Sequence, residues 1–460
     1  MREDLAALAP VHLIGIGGVG MSAIARILLT RGVAVSGSDQ RDTPALEALR
    51  ALGARIFVGH DAANLEDATT VVFNSAIREN NPELVAARSQ GLIVFHRAQL
   101  LAALARGSRT VAVSGTHGKT TTSAMIATIC MRAGVDPTFL VGSDVNEQGT
   151  NAHSGSGEWF VAEADESDGS LLWLVPEVAV ITNAEGDHLD HYSSKEEILA
   201  TFSAFLAQIT PNGMAVVCAD DEGSASLAAV ADPALRVETY GMDAGAWRIG
   251  GDGVIAREGR ELGRLQLSVP GDHNLRNALA AIIVADHLGI SIGASLEALA
   301  NFRGTRRRFE ERGTVGEIRV VDDYAHHPTE LAATLQAARQ VTSGRVLAIF
   351  QPHLFSRTKM FAVEIGKALA AADAVCLLPI YGAREDPIPG VTSRLPLIAT
   401  LEEAPRMPAA LLPDHPSAVR WAVRSAKPGD LILTLGAGDV TSIGPEIVTA
   451  LADRRELAGA

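Results

Sequence analysis

Val111-Ala112-Val113-Ser114-Gly115-Thr116-His117-Gly118-Lys119-Thr120-Thr121-Thr122 is the stretch that decides the fold. A short, wholly apolar run enters a glycine turn, and the turn leads into a helical stretch. A strand of this kind is buried on both faces, as in a parallel sheet covered by helices. Gly118-Lys119-Thr120 is the working end of a phosphate-binding loop. Backbone N–H groups and the Lys119 ammonium suit β- and γ-phosphates, and the Thr120 hydroxyl suits Mg²⁺. The loop departs from the standard form: Val113 stands five residues before Gly118, where a glycine is usual, and the glycine sits at Gly115 instead.

The same unit recurs upstream. Val11-His12-Leu13-Ile14 is followed by Gly15-Ile16-Gly17-Gly18-Val19-Gly20 and a helix starting near Met21, and Asp39 ends the next strand, Val33 to Ser38. Glycines there let a backbone approach a diphosphate, the helix N-terminus supplies N–H groups, and a carboxylate at Asp39 suits a ribose diol. By itself this turn reads as a nicotinamide or flavin dinucleotide site, although any nucleotide diphosphate satisfies the same physics. Further apolar runs of strand length are Val71–Phe73, Trp159–Ala162, Val178–Thr182, Met214–Val217, Val346–Phe350, Ala374–Pro379 and Leu431–Leu435. The expected class is α/β with mainly parallel sheets, plus an antiparallel ribbon around Ala246 to Val269.

Composition bounds what such a chain does. At roughly 150 residues per domain, 460 residues make about three domains. Joints are expected in Ala105–Thr110 and near Arg312 and Gly313. The formal net charge of −15 argues against broad binding to a nucleic-acid backbone, which needs clustered positive charge. It leaves room for a small anion in a local pocket. Three dispersed cysteines, Cys130, Cys218 and Cys376, make no disulfide framework and fit a reducing cytoplasm. The N-terminal residues lack the pattern of a signal peptide, and no apolar run is long enough for a membrane span.

Polar clusters follow the strands. Glu163-Ala164-Asp165-Glu166-Ser167-Asp168 sets four acidic side chains at one strand end, and they repel unless a cation lies among them. Thr182-Asn183-Ala184-Glu185-Gly186-Asp187-His188-Leu189-Asp190-His191 ends the next strand. Oxygen ligands with one imidazole suit Mg²⁺ or Mn²⁺. Asn274 and Asn277 share one face at a helix start and suit a base or phosphate edge. Arg306-Arg307-Arg308, Asp322-Asp323-Tyr324-Ala325-His326-His327, Gln351-Pro352-His353 with Arg357, and Gly436-Ala437-Gly438-Asp439 complete the set.

In this order, the motifs resemble those of the Mur ligase family over essentially the whole chain. The resemblance implies three domains: 1–107, Rossmann-like, for a UDP-sugar; 108–312, for ATP; and 313–460, again Rossmann-like, for help with ATP and an amino acid. It implies that Gly15, Gly17, Gly18, Gly20, Met21, Ser38, Asp39 and Ser75 serve the UDP-sugar. Gly115, Thr116, His117, Gly118, Lys119, Thr120, Thr121, Asn274, Asn277, Arg308 and Asp323 would serve ATP. Thr120, Glu163 and His188 are the implied metal ligands. Lys119, Glu163, His188 and Arg308 are the implied catalytic set. Tyr324, His326, His353 and Arg357 match the amino-acid pocket. Sister ligases for later amino acids carry a carbamylated lysine past the metal histidine; Ser203 stands there and Lys195 comes too early, as in the alanine-adding branch. The implied activity is ATP-dependent joining of L-alanine to the lactyl carboxylate of UDP-N-acetylmuramate, for peptidoglycan synthesis in the cytoplasm. The alternatives are a ligase that attaches a whole tripeptide to the same sugar, an NAD-dependent dehydrogenase, and a nucleotide-binding switch.

Overall fold

A computed structural model describes residues 7–167, 169–186, 192, 194–383 and 385–459. The expectations for Asp168, Asp187, His188, Asp190 and His191 lie outside the described residues. Two compact units emerge, one of residues up to Ser268 with Leu275–Arg303, the other of Val269–Asn274 with Gly304–Ala460. No described helix is long and apolar enough to cross a membrane. All three cysteines are buried and unbridged.

The first unit holds two sheets. In the first, β1 (Val11–Ile14), β2 (Val35–Asp39), β3 (Arg55–Val58), β4 (Thr70–Phe73) and β5 (Ile93–His96) run parallel in the order β3-β2-β1-β4-β5. β1 is 0% exposed along its apolar positions because helices cover both faces. Strand β2 begins at Val35 rather than Val33. The helix Val19–Thr30 ends through Gly32 at φ 79°, and the Val33 N–H returns to the Leu28 carbonyl at 2.9 Å, so Val33 belongs to the helix cap.

The second sheet contains β6 (Arg109–Ser114), β7 (Thr138–Val145), β8 (Thr150–His153), β9 (Trp159–Glu163), β10 (Val178–Ile181), β11 (Met214–Cys218) and β12 (Arg236–Gly241), followed by β13 (Trp247–Ile249), β14 (Val254–Arg257) and β15 (Arg260–Arg264). Its order is β15-β14-β13-β12-β11-β10-β6-β9-β7-β8. The expected antiparallel ribbon is β13 to β15, and it continues the sheet because β13 pairs in parallel with β12. Residues from both sheets, from Val11 through Ala112 to Val217, form one hydrophobic cluster. Polar ties reinforce it: Arg31 donates to Ser154 Oγ at 3.2 Å and Thr138 Oγ1 at 3.3 Å, and Asn151 donates to the Val19 carbonyl at 3.0 Å.

The second unit is built on β16 (Glu310–Val315), β17 (Ile318–Asp323), β18 (Val346–Phe350), β19 (Ala374–Leu377), β20 (Ala409–Leu411) and β21 (Leu431–Leu435), ordered β16-β17-β21-β18-β19-β20. Only β16 is antiparallel. In the first sheet the neighbours of the central β1 lead in opposite directions, β2 to β3 and β4 to β5, and in the other two sheets the chain reverses its progress across the sheet around β6 and at its return to β21. A crevice opens at the carboxyl end of such strands, where ligands of α/β sheets bind.

A buried polar knot braces the first crevice. Glu83 is 0% exposed; it accepts Ser38 Oγ at 2.6 Å and Asn64 Nδ2 at 2.6 Å, with His60 Nδ1 at 3.2 Å and His12 Nε2 at 3.7 Å. Burial alone would raise the Glu83 pKa, but nearby His12 and the bonds from Ser38 and Asn64 outweigh it and hold the carboxyl below its ordinary range. Removing this carboxylate strands several buried polar groups. Glu83→Ala is expected to cost about 3–5 kcal/mol in urea unfolding at neutral pH. A depressed pKa contributes stability above the unfolded-state value and loses it as pH falls through the folded value. The gap between wild type and variant should therefore narrow on acidification; a gap that widened would contradict the assignment.

Candidate active site

The first glycine turn is closed by its own backbone. Gly15 has φ 73°, the Gly18 N–H reaches the Gly15 carbonyl at 3.1 Å, and the helix begins at Val19. Gly17 donates its N–H to Asp39 Oδ2 at 3.0 Å, so one oxygen of Asp39 holds the turn. Ser38 acts from beneath: its carbonyl accepts the N–H groups of Gly15 at 2.8 Å and Ile16 at 3.0 Å, while its buried hydroxyl serves Glu83. Ser75 lies past β4, with Oγ 3.1 Å from His96 Nε2. Met21 is buried under the turn. A side chain at Gly20 would meet Arg97, whose Cδ and Nη1 lie 3.3 Å from the Cβ position.

The second turn, after β6, is clamped by the end of β10. His117 N–H donates to Asn183 Oδ1 at 2.8 Å, Asn183 Nδ2 donates to the His117 carbonyl at 3.0 Å, and Thr182 Oγ1 also donates to that carbonyl. Thr116 Oγ1 accepts the Glu185 N–H at 2.9 Å. Gly115 is required twice over: its φ is 127°, and a Cβ would sit 2.2 Å from Thr182 Oγ1. Gly118, at φ 87°, starts the helix Lys119–Arg132, and Asn277 Oδ1 lies 2.7 Å from its Cβ position. Thr120 and Thr121 occupy the first turn, nearly buried.

Lys119 folds onto its own loop. Its Nζ donates to the Gly115 carbonyl at 2.6 Å and to Glu166 Oε1 at 2.7 Å. Burial works against the ammonium, but Glu166, Asp165 and Glu163 outweigh it and hold the Lys119 pKa above its ordinary value. Burial lifts Glu166 to about 6 against the pull of Lys119, which leaves it ionised at neutral pH. Asp165 is held low: Lys119 and Arg97 overcome its desolvation.

Glu163, at the end of β9, and Thr120 converge above Gly142 of β7. A Cβ on Gly142 would lie 2.8 Å from Thr120 Oγ1 and from Glu163 Oε2, and 2.9 Å from Glu163 Oε1. The Gly142 N–H donates to Glu163 Oε1. A hydroxyl and a carboxylate meeting in a space kept clear of side chains form a hard-oxygen donor pair, which fits Mg²⁺ or Mn²⁺. Beside them a cavity of about 250 Å³ runs to the first glycine turn, lined by Gly18, Gly20, Asn74, Arg97, Glu163 and Asp165 among others.

In the second unit, the strand ends of β17, β18 and β21 carry the remaining candidates. Tyr324, His326, His353 and Tyr381 form a chain of rings: centroids are 5.3 Å apart for Tyr324–His326, 5.8 Å for His326–His353 and 5.8 Å for the stacked His353–Tyr381. Arg308 lies 5.1 Å from the Tyr324 ring centre and 3.5 Å from Glu330 Oε1. Arg307 donates to the carbonyls of Gly436 at 2.6 Å and Gly438 at 3.1 Å and so shapes that glycine turn. Asp323 is buried, accepting Phe309 N–H at 2.7 Å and Ala325 N–H at 2.8 Å; burial, opposed by Arg308, pushes it up to about 6. Arg357 is buried in the helix Phe355–Leu369. Asn274 donates to the Pro270 carbonyl at 2.6 Å, in the second unit, whereas Asn277 belongs to the first.

Sequence reasoning passed over Arg97, Asn74, Gly142 and Tyr381. Asn74 directly follows β4 and Arg97 directly follows β5, so position at a strand's carboxyl end is the signal that would have raised these two; Gly142 lies inside β7 and Tyr381 beyond β19, and no local signal marks either. The Gly142 space yields a direct test. Gly142→Ala introduces a methyl between the donor atoms without a forbidden backbone angle. The affinity for Mg²⁺–ATP is expected to fall by at least ~10-fold, the scale of one charge-assisted contact, in calorimetric titration. Unchanged affinity would remove Thr120 and Glu163 from any cation site.

Family models match three consecutive stretches: "Mur ligase family, catalytic domain" over residues 10–109, "Mur ligase middle domain" over 113–285 and "Mur ligase, glutamate ligase domain" over 307–438. The chain is 51% identical to the UDP-N-acetylmuramate–L-alanine ligase of Renibacterium salmoninarum over 462 residues, 98% of each chain. Among solved structures it is similar to the UDP-N-acetylmuramate–alanine ligase of Thermotoga maritima, with a TM-score of 0.82 and 31% identity over 97% of this chain and 99% of that one. It is also similar to a murein peptide ligase of Psychrobacter arcticus, with a TM-score of 0.72 and 26% identity over 96% and 98%. With its glycine turns, acidic strand end and three sheets matched from one end to the other, the chain belongs to the Mur ligase family.

Proposed function

We propose that this protein is an ATP-dependent ligase that joins L-alanine to the lactyl carboxylate of UDP-N-acetylmuramate in the cytoplasm, a step of peptidoglycan precursor synthesis. The observation that carries the reading is the cavity of about 250 Å³ with a diphosphate-type turn at one side and Glu163 at the other. A nucleotide sugar bearing an acid matches that span: phosphates at the glycines and a carboxylate toward the ATP loop. The identity to an L-alanine ligase over 98% of the chain supports the choice of amino acid.

The assignment of segments is part of the proposal: 1–107 for the UDP-sugar, 108–312 for ATP, and 313–460 for the amino acid and part of the nucleotide. The chemistry is acyl activation. The sugar's carboxylate attacks the γ-phosphate of ATP, ADP leaves, and an acyl phosphate forms. The amine of L-alanine then attacks that carbonyl, loses its proton and expels phosphate. Free carboxylate is a poor acyl donor, and phosphorylation supplies the leaving group.

Both steps gather negative charge at one point, so catalysis is mainly positional and electrostatic. Lys119, Thr120 and Thr121, in the first turn of the helix, turn N–H groups toward the phosphates at its N-terminus. Lys119 exchanges its bond to the Gly115 carbonyl for phosphate oxygen, with Glu166 steadying its ammonium. Thr120 and Glu163, with His188 from the family resemblance, would hold Mg²⁺ or Mn²⁺, which would neutralise phosphate and carboxylate charge. Arg308 adds a fixed positive charge, oriented by Glu330 and Tyr324. Asn277, standing against Gly118, and Asn274 serve the nucleotide, and Asp323 holds the turn at Phe309 and Ala325 that presents Tyr324. Tyr324, His326, His353 and Arg357 receive alanine. A methyl pocket separates alanine from glycine by only about 1–3 kcal/mol, so slow use of glycine is expected.

Phosphate release from Mg²⁺–ATP tests the reading. Release is expected only with UDP-N-acetylmuramate and free L-alanine together. Dependence on a tripeptide instead would assign the recycling activity, and release without the sugar would assign a switch. Lys119→Ala should lower turnover by at least ~1,000-fold while UDP-N-acetylmuramate still binds.

A further inference from the structure

Arg97 lines the acidic cavity, although no motif in the chain marks it. It opens the helix Arg97–Ala105 directly after β5, and its guanidinium lies against Gly20 of the first turn, where a Cβ would be 3.3 Å from Nη1. Its Nη2 is 3.5 Å from Asp165 Oδ2, two residues beyond Glu163. Among the described residues that line the cavity, Arg97 is the one cationic side chain, facing Glu163 and Asp165. An acid entering here meets two carboxylates and needs a fixed positive partner.

We propose that Arg97 selects the substrate's lactyl carboxylate, and that Asp165 occupies the carboxylate's place on Arg97 until substrate arrives. This deepens the proposed function and rests on it. The spacing suits exchange. At 3.5 Å the pair is an ion pair without a hydrogen bond, whereas a substrate carboxylate can take the planar fork at full contact. Asp165 is not stranded by losing Arg97. Its Oδ1 accepts the Ser167 N–H at 3.1 Å, and Lys119 contributes its charge nearby. Every charge keeps a partner through the exchange, which is what allows it inside a partly buried site.

The test compares two ligands that share uridine, diphosphate and hexose: UDP-N-acetylmuramate, which carries the lactyl acid, and UDP-N-acetylglucosamine, which does not. Calorimetric titration of the full-length protein should show Arg97→Gln weakening UDP-N-acetylmuramate at least tenfold and UDP-N-acetylglucosamine less than twofold, with Arg97→Lys recovering part of the loss. Asp165→Asn, which frees Arg97 without removing it, should tighten UDP-N-acetylmuramate several-fold. Equal losses for both ligands in Arg97→Gln would make Arg97 a diphosphate contact or a structural support and end the proposal; so would unchanged affinities, or weaker binding by Asp165→Asn. If wild type itself binds both sugars alike and releases no phosphate with L-alanine, the failure belongs to the functional reading and not to Arg97.

Discussion

The bond between Lys119 and Glu166 is the interaction on which the centre of the molecule depends. A protein with a formal charge of −15 has to create a local place for anions, and here it does so with one ammonium buried among acids. The acids are required because an unpaired buried lysine would shed its proton. The lysine is required because Glu163, Asp165 and Glu166 leave adjacent positions of one strand end and would repel each other without it. The loop backbone supplies the rest, with Gly115 and Gly118 at angles that side chains rarely adopt. Asn183 and Thr182 then fix the loop to the neighbouring strand, so the charge arrangement is inherited from the order of β10, β6 and β9.

The same architecture explains why glycine turns recur at the first and second sheets. A parallel strand that changes the direction of its connections leaves a gap at its carboxyl end, and the residue types that fill such gaps are those that leave backbone bare. In the first sheet the gap is held from below by Glu83, Ser38 and His60. In the third it is held by Arg307, which ties three carbonyls of the Gly436–Gly438 turn toward the end of β17.

Much of this was legible because burial on both faces leaves an unmistakable trace. Val346–Phe350 and Leu431–Leu435 are strands with the limits expected from their apolar runs. β12 was less legible because it carries Glu238 inward, where Trp247 Nε1 and Arg257 Nη2 each bond it at 2.9 Å; the partners that make a buried glutamate acceptable arrive later in the chain. β3 and β5 are four-residue edge strands, half exposed, and their apolar runs, Ile56–Val58 and Ile93–Phe95, are short and only partly buried. Val33 was misassigned to a strand because its apolar side chain is buried, while its N–H is spent on capping a helix. For the site, motifs with local spacing stood out, whereas Arg97 and Gly142 have meaning only through Gly20, Thr120 and Glu163, which the fold brings to them.

The shared core of the first two sheets has a consequence for how this site can change over evolutionary time. Since Val11, Ala112 and Val217 belong to one packed body, and Arg31 and Asn151 stitch its halves, the walls of the cavity keep a set separation. A bulkier donor molecule cannot be admitted by drifting those walls apart without dismantling the interior. Divergence at this spot is confined to swapping the few groups that face inward, and lineages that accept a new donor should record it there, in a handful of substitutions.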